Sequence, residues 1–201
     1  MHVDDENTVA LAAEALRTGG VILYPTDTLY GLGADALSDE ALAKVVAIKG
    51  RDEKKPIHAI VADVEMVMKY GDVSERVRQL MDTYPKGKVT FIVRKNIGFD
   101  TGIFKGIDTF GFRIPDHPFC ISLCRAFGGP ITATSANKAG VAPEHSLDAI
   151  LAQLGAEMHV IDLAIDGGNS PIGLPSTILD YSQGEPKVLR EGAFPMLQLG
   201  L

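Results

Sequence analysis

Short apolar runs alternate with segments of helical periodicity along the chain, and this alternation limits the class of fold. Apolar residues at helical spacing between Val9 and Leu16 predict a first helix. The run "VILYPT" follows the glycines of "TGG" and predicts a buried strand. Ser38 then stands where a cap is needed for a second helix, which is predicted to end near Lys49.

The same alternation continues to the end of the chain. Asp72 lies three residues before Glu75, a capping-box pattern that predicts a helix over "DVSERVRQLMD". Further helices are predicted over residues 118–127 and 146–154, and further strands at "PIHAIVA", 88–93, 111–114, "PITAT", "MHVID", "STILD" and "PKVLR". This order predicts an α/β fold with a twisted, open sheet of mixed parallel and antiparallel strands and flanking helices. Because no repeat, linker or charge run divides the chain, we expect a single domain over residues 1–201.

The chain is acidic, yet it gathers cations into one short stretch. Its 201 residues are 46% hydrophobic, which is enough for a substantial core, and its formal net charge is -7. Such a charge gives no general attraction to nucleic acid or anionic lipid. The stretch "KGRDEKK" nevertheless holds Lys49, Arg51, Lys54 and Lys55. Any binding of a polyanion is therefore expected to use a local patch.

The N-terminus and the lengths of the apolar runs predict the location of the protein in the cell. "MHVDDENTVA" lacks the basic start and apolar run of a signal peptide. No segment approaches the roughly 18 apolar residues of a membrane span. We therefore expect a cytoplasmic protein that does not associate with membranes.

Several familiar cofactor and hydrolase motifs are absent or misplaced. "GLGADA" matches a dinucleotide fingerprint, but "PTDTLY" separates it from the preceding strand, which argues against that reading. Val89 follows Gly87-Lys88 where a phosphate loop needs Ser or Thr, and there is neither H-E-x-x-H nor G-x-S-x-G. Cys120 and Cys124 have no further cysteines to complete a zinc site, so we interpret them as buried apolar side chains.

Small polar clusters stand at the ends of predicted strands. They are "PTDT" at residues 25–28, "TSAN" at 134–137 and "PSTILD" at 175–180. Strand ends form the ligand crevice of an open α/β sheet, and hydroxyl, amide and backbone N–H groups there can hold a small polar molecule and phosphates. Each cluster alone is equally compatible with turn and cap chemistry. Together with the cationic stretch and Arg113 they favour a binding site.

These motifs resemble, in order and spacing, those of the YrdC/Sua5 family of L-threonylcarbamoyladenylate synthases. The resemblance rests on "GGVILYPTDTLYGLGADA", "IKGRDEKKPI", "FRIPDHP", "TSANKAG" and "PSTILDYSQGEPKVLREG", and it covers residues 8–192. It implies a YrdC-like sheet with a large, concave, positively charged groove. It also implies the condensation of L-threonine, bicarbonate and ATP to threonylcarbamoyl-AMP and pyrophosphate, the first stage of making N6-threonylcarbamoyladenosine in tRNA.

The resemblance also implies roles for individual residues. The threonine-binding positions are matched by Thr28, Arg113 and Ser176. The ATP-binding positions are matched by Lys49, Arg51, Lys55, Thr109, Ser135, Asn137 and Arg190. Lys49 and Arg51 are the implied catalytic pair, because a guanidinium fork and a point charge can neutralise and orient phosphate oxygens. Mg2+ is expected to bridge ATP oxygens without a metal site made of protein side chains alone.

Three positions depart from the family pattern, and other functions stay open. Lys88 replaces a common proline, Ile60 replaces a histidine found in several members, and Pro143 replaces a serine. His58 is read as a strand residue rather than a ligand. One alternative is an RNA-binding module for tRNA or double-stranded RNA, although 6% aromatic residues offer few stacking platforms. Another is a divergent paralogue with a different substrate. The expected partners of the enzyme are its substrates and a downstream threonylcarbamoyl transferase.

Overall fold

Short strands and helices alternate along the chain, and the structure, a computed structural model, describes residues 1–50, 56–170, 174–195 and 197. The α-helices in these ranges are α1 (Thr8–Arg17), α2 (Asp39–Lys49), α3 (Val64–Tyr70), α4 (Glu75–Thr83), α5 (Pro118–Phe127) and α6 (Leu147–Leu154). The strands are β1 (Ile22–Tyr24), β2 (Gly31–Gly33), β3 (Ala59–Ile60), β4 (Gly71–Asp72), β5 (Val89–Lys95), β6 (Thr109–Arg113), β7 (Ile131–Thr132), β8 (Thr134–Ser135), β9 (Leu163–Ala164), β10 (Thr177–Asp180) and β11 (Lys187–Arg190).

These strands form two sheets. One has the order β8-β2-β1-β9, and the other has the order β11-β10-β5-β6-β3-β7, with β4 added beside β5. β1 pairs with β9, β3 with β6 and β10 with β5 in parallel, whereas the other neighbours are antiparallel. The predicted mixture of parallel and antiparallel strands with flanking helices is confirmed. The strands are divided between two sheets rather than collected in one.

The chain passes between the sheets within a few residues. The predicted strand "PITAT" is in fact β7, which pairs with β3, and β8, which pairs with β2. Only Ala133 separates the two strands, and its N–H donates to the His58 carbonyl. The segment 131–135 therefore joins the two sheets directly.

The glycines of "GLGADA" form part of a strand and not a phosphate loop. Gly31 and Gly33 belong to β2, which runs antiparallel to β1. A Cβ atom on Gly33 would stand 2.8 Å from Cε1 of Tyr24, so a larger residue would collide with that ring. The glycines allow close packing in the hairpin, and the rejection of a dinucleotide-binding motif agrees with this geometry.

The cap of α2 agrees with the sequence, whereas the cap of α4 does not. Ser38 caps α2, and Gly50 ends that helix in the left-handed conformation. Ser74 caps α4, and its hydroxyl accepts from the Val77 N–H, so the prediction of Asp72 as the cap is wrong. The backbone of Asp72 pairs with Arg94 in β4 instead.

Two other segments differ from their predicted form. α3, capped by Asp63, was not predicted at all. The segment "MHVID" was predicted as a strand, but it lies largely in a 3-10 helix, Gly155–Val160, before the short β9. Its residues 158–160 are exposed, so the apolar side chains of Met158 and Val160 do not mark a buried strand.

Two apolar clusters fill the interior. The larger one packs around the aromatic side chains of β5 and β6, with Phe110 and Phe112 fully buried. The smaller one lies between α1, α5 and β1, and it includes the free thiols of Cys120 and Cys124. Burial raises the pKa of both thiols, which fits the interpretation of these cysteines as core residues. Within the described residues, every helix is too short or too polar to cross a membrane.

Candidate active site

A cavity of about 240 Å³ lies between the two sheets. Residues of all three polar clusters from the sequence reach it, together with residues from β5, β6 and β11. Its polar or ionisable side chains include Tyr24, Thr26, Thr28, Tyr30, His58, Thr90, Arg113, Thr134, Ser135, Ser176 and Arg190. Segments far apart in the sequence therefore meet at one site.

Arg113 is held at the cavity by a buried ion pair. It is the last residue of β6, and its Nη1 donates to both carboxylate oxygens of Asp27 at 2.8 Å. The same Nη1 donates to the Gly87 carbonyl at 2.8 Å. The side chains of Arg113 and Asp27 are each 8% exposed. Because the two charges are paired away from water, removal of either would leave the other uncompensated.

Gly87 makes room for this pair. Its φ is +76°, a backbone conformation that residues other than glycine rarely adopt. A Cβ atom on Gly87 would stand 1.9 Å from Asp27 Oδ2. The glycine is therefore required both by its backbone conformation and by the closeness of the carboxylate.

The hydroxyl groups of "PTDT" form a short hydrogen-bonded chain. Thr26 Oγ1 donates to the Leu29 carbonyl at 2.8 Å and accepts from the Thr28 N–H at 3.1 Å. The two threonine hydroxyls are 3.1 Å apart. Nη2 of Arg113 lies 3.4 Å from Thr26 Oγ1. The motif thus connects a hydroxyl cluster with the buried guanidinium.

A second pair of hydroxyls lies where β5 and β10 meet. In the register of β5 and β6, Phe91 faces Phe112, so the next position along places Thr90 beside Arg113. Thr90 Oγ1 is 2.7 Å from Ser176 Oγ, and both residues are buried. These two hydroxyls extend the polar wall away from Arg113.

Arg190 reaches the cavity from β11. Its Nη2 and Nε donate to the Ser176 carbonyl at 2.8 and 3.2 Å. Burial, and to a smaller extent the charge of Arg113, lower the pKa of Arg190. Because Asp27 offsets the charge of Arg113, Arg190 supplies positive charge that an anionic ligand can neutralise.

Lys49 lies beside the "TSAN" segment. It is the last residue of α2 and is buried. Its Nζ donates to the carbonyl oxygens of Ser135 and Asn137, and to Asn137 Oδ1 at 3.3 Å. The Ser135 hydroxyl also donates to Asn137 Oδ1. The structure therefore brings these three predicted residues together, with the ammonium group holding the segment in place.

Some predicted residues lie elsewhere or outside the described ranges. Thr109 is the first residue of β6, at the opposite end of that strand from Arg113, and it does not line the cavity. Arg51, Lys54 and Lys55 lie outside the described residues. The departures at Lys88, Ile60 and Pro143 do not contribute to the lining, and Ile60 is fully buried in the core.

The sequence did not identify every residue of the site. His58, interpreted from the sequence as a strand residue rather than a ligand, lies just before β3 and lines the cavity. Its ring packs over Gly111, where a Cβ atom would stand 2.3 Å from His58 Cδ2. Asp27 and Thr26 belong to a motif that was noticed, but only its last threonine was given a role. In the part of the chain that the structure describes, no group of three or more His, Cys, Asp or Glu side chains could hold a metal ion.

Both the sequence and the fold of this chain are similar to those of known proteins. The family model Sua5_yciO_yrdC, described as "Telomere recombination", matches residues 14–192. A threonylcarbamoyl-AMP synthase of Bacillus subtilis is 33% identical over 95% of this chain, which spans 55% of that relative. One from Chromohalobacter salexigens is 36% identical over 88% of this chain, which spans 94% of it. A crystal structure of Sua5 from P. abyssi in complex with L-threonine superposes with a TM-score of 0.87, at 30% identity, over 95% of this chain and 56% of that one.

Proposed function

The chain belongs to the Sua5/YciO/YrdC family, and from that premise we propose that it is a threonylcarbamoyl-AMP synthase. It would condense L-threonine, bicarbonate and ATP to threonylcarbamoyl-AMP and pyrophosphate. The observation that carries this proposal is the convergence of Thr28, Arg113 and Ser176 with Ser135 and Arg190 on one cavity. Relatives that carry this name, and a relative crystallised with L-threonine, support it.

The wall formed by Arg113, Thr28 and Ser176 is proposed to bind L-threonine. A guanidinium is suited to a carboxylate because it offers parallel N–H donors in a planar fork. Nη1 of Arg113 already bonds Asp27 and Gly87, so the ligand carboxylate would approach the remaining edge. The hydroxyl groups of Thr28 and Ser176 can bond the other polar groups of the amino acid.

A further group of residues is proposed to bind ATP. Ser135, Asn137 and Arg190 would contact the nucleotide and its phosphates, with Lys49, Arg51 and Lys55 from the cationic stretch completing the set. Lys49 supports this assignment through its contacts with the Ser135–Asn137 segment, which place a buried positive charge beside it. Mg2+ would enter on the oxygens of ATP, where phosphates and water supply most of its ligands. Thr109 is not part of this proposal because it lies at the far end of β6.

The reaction itself would depend on positioning and charge. The amino group of threonine forms a C–N bond with the carbon of bicarbonate, and water leaves, which gives a carbamate. A carbamate oxygen then attacks the α-phosphorus of ATP as pyrophosphate leaves. Bringing the two groups together and stabilising the growing charge on the phosphate oxygens accounts for most of the catalysis such a step needs. No side chain has to act as a nucleophile. The product would be passed to a transferase that modifies tRNA.

Pyrophosphate release from ATP tests the proposal. We expect release that depends on both L-threonine and bicarbonate, and a product of the mass of threonylcarbamoyl-AMP. Lys49→Ala and Arg51→Ala are each expected to remove nearly all of this activity, because each removes a charge assigned to the phosphates. Lys44→Ala is the matched control, since Lys44 is an exposed lysine on the same helix. Rates like those of the unaltered protein in both the Lys49 and the Arg51 variant would contradict the assignment.

A further inference from the structure

His58 stands on the cavity wall in a fixed position. It comes immediately before β3, and its carbonyl accepts from the Ala133 N–H at 2.7 Å. β3 pairs with β6 on one side and with β7 on the other. The backbone that carries the imidazole is therefore held from both sides, which favours a well-defined position of the ring.

Gly111 provides the space in which the His58 ring lies. A Cβ atom on Gly111 would collide with Cδ2 of the ring and stand 3.1 Å from its Nε2. Gly111 and Arg113 are two residues apart on β6, so they face the same side of the sheet at a spacing of about 7 Å along the strand. The imidazole and the guanidinium are therefore neighbours on one face.

The formation of a carbamate requires a proton acceptor. At neutral pH the α-amino group of an amino acid is largely an ammonium ion, which has no lone pair. It must lose one proton before its nitrogen can bond the carbon of bicarbonate. A side chain that titrates near neutral pH is suited to accept that proton.

Among the described residues that line the cavity, His58 is the only side chain suited to this task. The other ionisable side chains of the lining are Tyr24, Tyr30, Arg113 and Arg190. Burial raises the pKa of both tyrosines, so they keep their protons near neutral pH. Guanidinium groups do not lose theirs in proteins. An imidazole ordinarily titrates at about pH 6.5.

The carboxylate of Asp27 is already used by the ion pair. Both of its oxygens accept from Nη1 of Arg113 at 2.8 Å, and Asp27 does not line the cavity. A proton on this carboxylate would leave the buried guanidinium without its counter-ion, which is costly. Asp27 is therefore a poor proton acceptor for a ligand in the cavity.

From this arrangement we propose that His58 is the general base of carbamate formation and accepts a proton from the α-ammonium group of L-threonine. An amino acid whose carboxylate lies against Arg113 carries its ammonium group on the adjacent carbon, within reach of the neighbouring ring. This inference rests on the proposed function.

The proposed step balances in atoms and charge. The ammonium group gives one proton to a ring nitrogen of His58 and becomes a neutral amine. Its nitrogen then bonds the carbon of bicarbonate, and the bond from that carbon to the hydroxyl oxygen breaks. The hydroxyl group leaves as water with a proton from the nitrogen, which gives the carbamate. The imidazolium returns its proton to the solvent.

The pH dependence of pyrophosphate release tests the proposal. His58→Gln keeps a polar side chain but cannot take up a proton. With L-threonine, bicarbonate and ATP at neutral pH, we expect its rate to be about a hundredfold below that of the unaltered protein, a typical contribution of a general base. At about pH 10, where α-amino groups are largely neutral in solution, the two rates should approach each other. A ratio of rates that stays constant over this range would overturn the inference.

Two further variants control for the position of the ring and for the loss of a histidine. His159→Gln should leave the rate and its pH dependence unchanged, because His159 is exposed in the 3-10 helix Gly155–Val160. Gly111→Ala keeps the imidazole but displaces it, since a Cβ atom would collide with the ring. We expect it to lower the rate at neutral pH and to recover at high pH, as His58→Gln does. Full activity of Gly111→Ala at neutral pH would contradict the assigned position.

The reverse reaction separates a base from a side chain that only binds the ligand. Threonylcarbamoyl-AMP and pyrophosphate form ATP without the loss of a proton from an ammonium group. His58→Gln should therefore form ATP in this direction at nearly the rate of the unaltered protein. Equal losses in the two directions would show that His58 holds the ligand or the fold, and the inference would be wrong.

The results also separate this inference from the proposed function. If the unaltered protein releases no pyrophosphate with L-threonine and bicarbonate, the proposed function fails and the inference fails with it. If the unaltered protein releases pyrophosphate and His58→Gln does so at the same rate at neutral pH, the inference alone fails.

Discussion

Internal pairing organises the polar side chains of the cavity. Arg113 is paired with Asp27, Thr26 with Thr28, and Thr90 with Ser176. In each pair a buried polar group satisfies another, which avoids the cost of leaving a donor or acceptor unbonded away from water. The same bonds restrict the rotamers of the side chains. The site is therefore organised before any ligand arrives, which lowers the entropy lost on binding.

Loss of the Asp27 carboxylate is expected to destabilise the protein. Asp27→Ala would leave the guanidinium of Arg113 buried without its counter-ion, which typically costs about 3 kcal/mol or more in the free energy of unfolding. The measurement is urea denaturation at neutral pH. Glu14→Gln is the matched control, because Glu14 pairs with Arg17 at an exposed site, where such pairs contribute about 1 kcal/mol or less. Similar losses in both variants would mean that burial does not set the strength of the Arg113 pair.

A side chain at residue 87 is expected to disturb the same pair. Gly87→Ala combines a strained φ of +76° with a Cβ position 1.9 Å from Asp27 Oδ2. Gly140→Ala is the control for the strain alone, because Gly140 has a φ of +80° and open space around it. We expect Gly87→Ala to lower both the free energy of unfolding and the affinity for L-threonine, and Gly140→Ala to cost only about 1 kcal/mol in stability. Equal effects of the two substitutions would exclude the steric contribution.

Motifs predicted several of the residues that the structure brings to the cavity, but they did not predict residues whose contacts lie far away in the sequence. Arg113, Ser176 and Ser135 were proposed from motifs, and the structure brings them to one cavity. Asp27 was not singled out, because its partner lies 86 residues away and no local pattern connects the two. Thr90 was missed for the same reason, since its contact with Ser176 also spans 86 residues.

Among the helices, α4 shows how one residue can be mistaken for a cap. Asp72 fits the capping-box spacing, but its backbone is used by β4, and α4 begins two residues later than that pattern predicts. Ser74 satisfies the Val77 N–H instead. A local sequence pattern does not show whether a backbone group is already bonded to a neighbouring strand.

Substitution of the two candidate caps distinguishes the alternatives. Ser74→Ala is expected to lower the free energy of unfolding by about 1 kcal/mol, because it leaves a first-turn N–H of α4 unsatisfied. Asp72→Ala, the matched substitution at the position that the sequence favoured, should cost clearly less. Urea denaturation of both variants gives the comparison. A larger loss for Asp72→Ala would show that the helix begins where the sequence predicted.

Elements were predicted best where apolar periodicity and burial agree. α5 was predicted over 118–127 and is observed as Pro118–Phe127, with one face buried. The segment "MHVID" has apolar residues but exposed side chains, so its alternation was misleading. β3 is only two residues long, and its place in the sheet depends on β6 and β7 rather than on its own sequence.

At the scale of the whole molecule, the cavity lies where the two sheets meet. The mixture of strand directions could be predicted from the order of elements, because that order depends on local signals. The division into two sheets could not, because it depends on which strands pair across long distances. β7 and β8 are neighbours in sequence, yet each joins a different sheet.

A ligand that fills this cavity is expected to stabilise both sheets together. At about 100 times its dissociation constant, L-threonine should add about 2.7 kcal/mol to the free energy of unfolding. Hydrogen exchange should show slower exchange of amides in β2 and β8 as well as in β5 and β6, because the cavity has walls from both sheets. D-Threonine at the same concentration is the control. Slower exchange confined to one sheet would contradict a site shared between them.

The pairing of β5 with β10 also has a consequence for the order in which the molecule is assembled. β5 has β6 on one side. On its other side β4 pairs with Arg94 and Lys95 alone, and residues 89–92 pair with β10, which begins 82 residues after Lys95, counting from Lys95 to Thr177. During synthesis that edge of β5 must wait until β10 and β11 leave the ribosome, and contacts over such separations form slowly. An unpaired strand edge is open to wrong partners while it waits. Ser176 and Arg190 arrive with β10 and β11, so a nascent chain acquires its cavity only after these two strands have emerged.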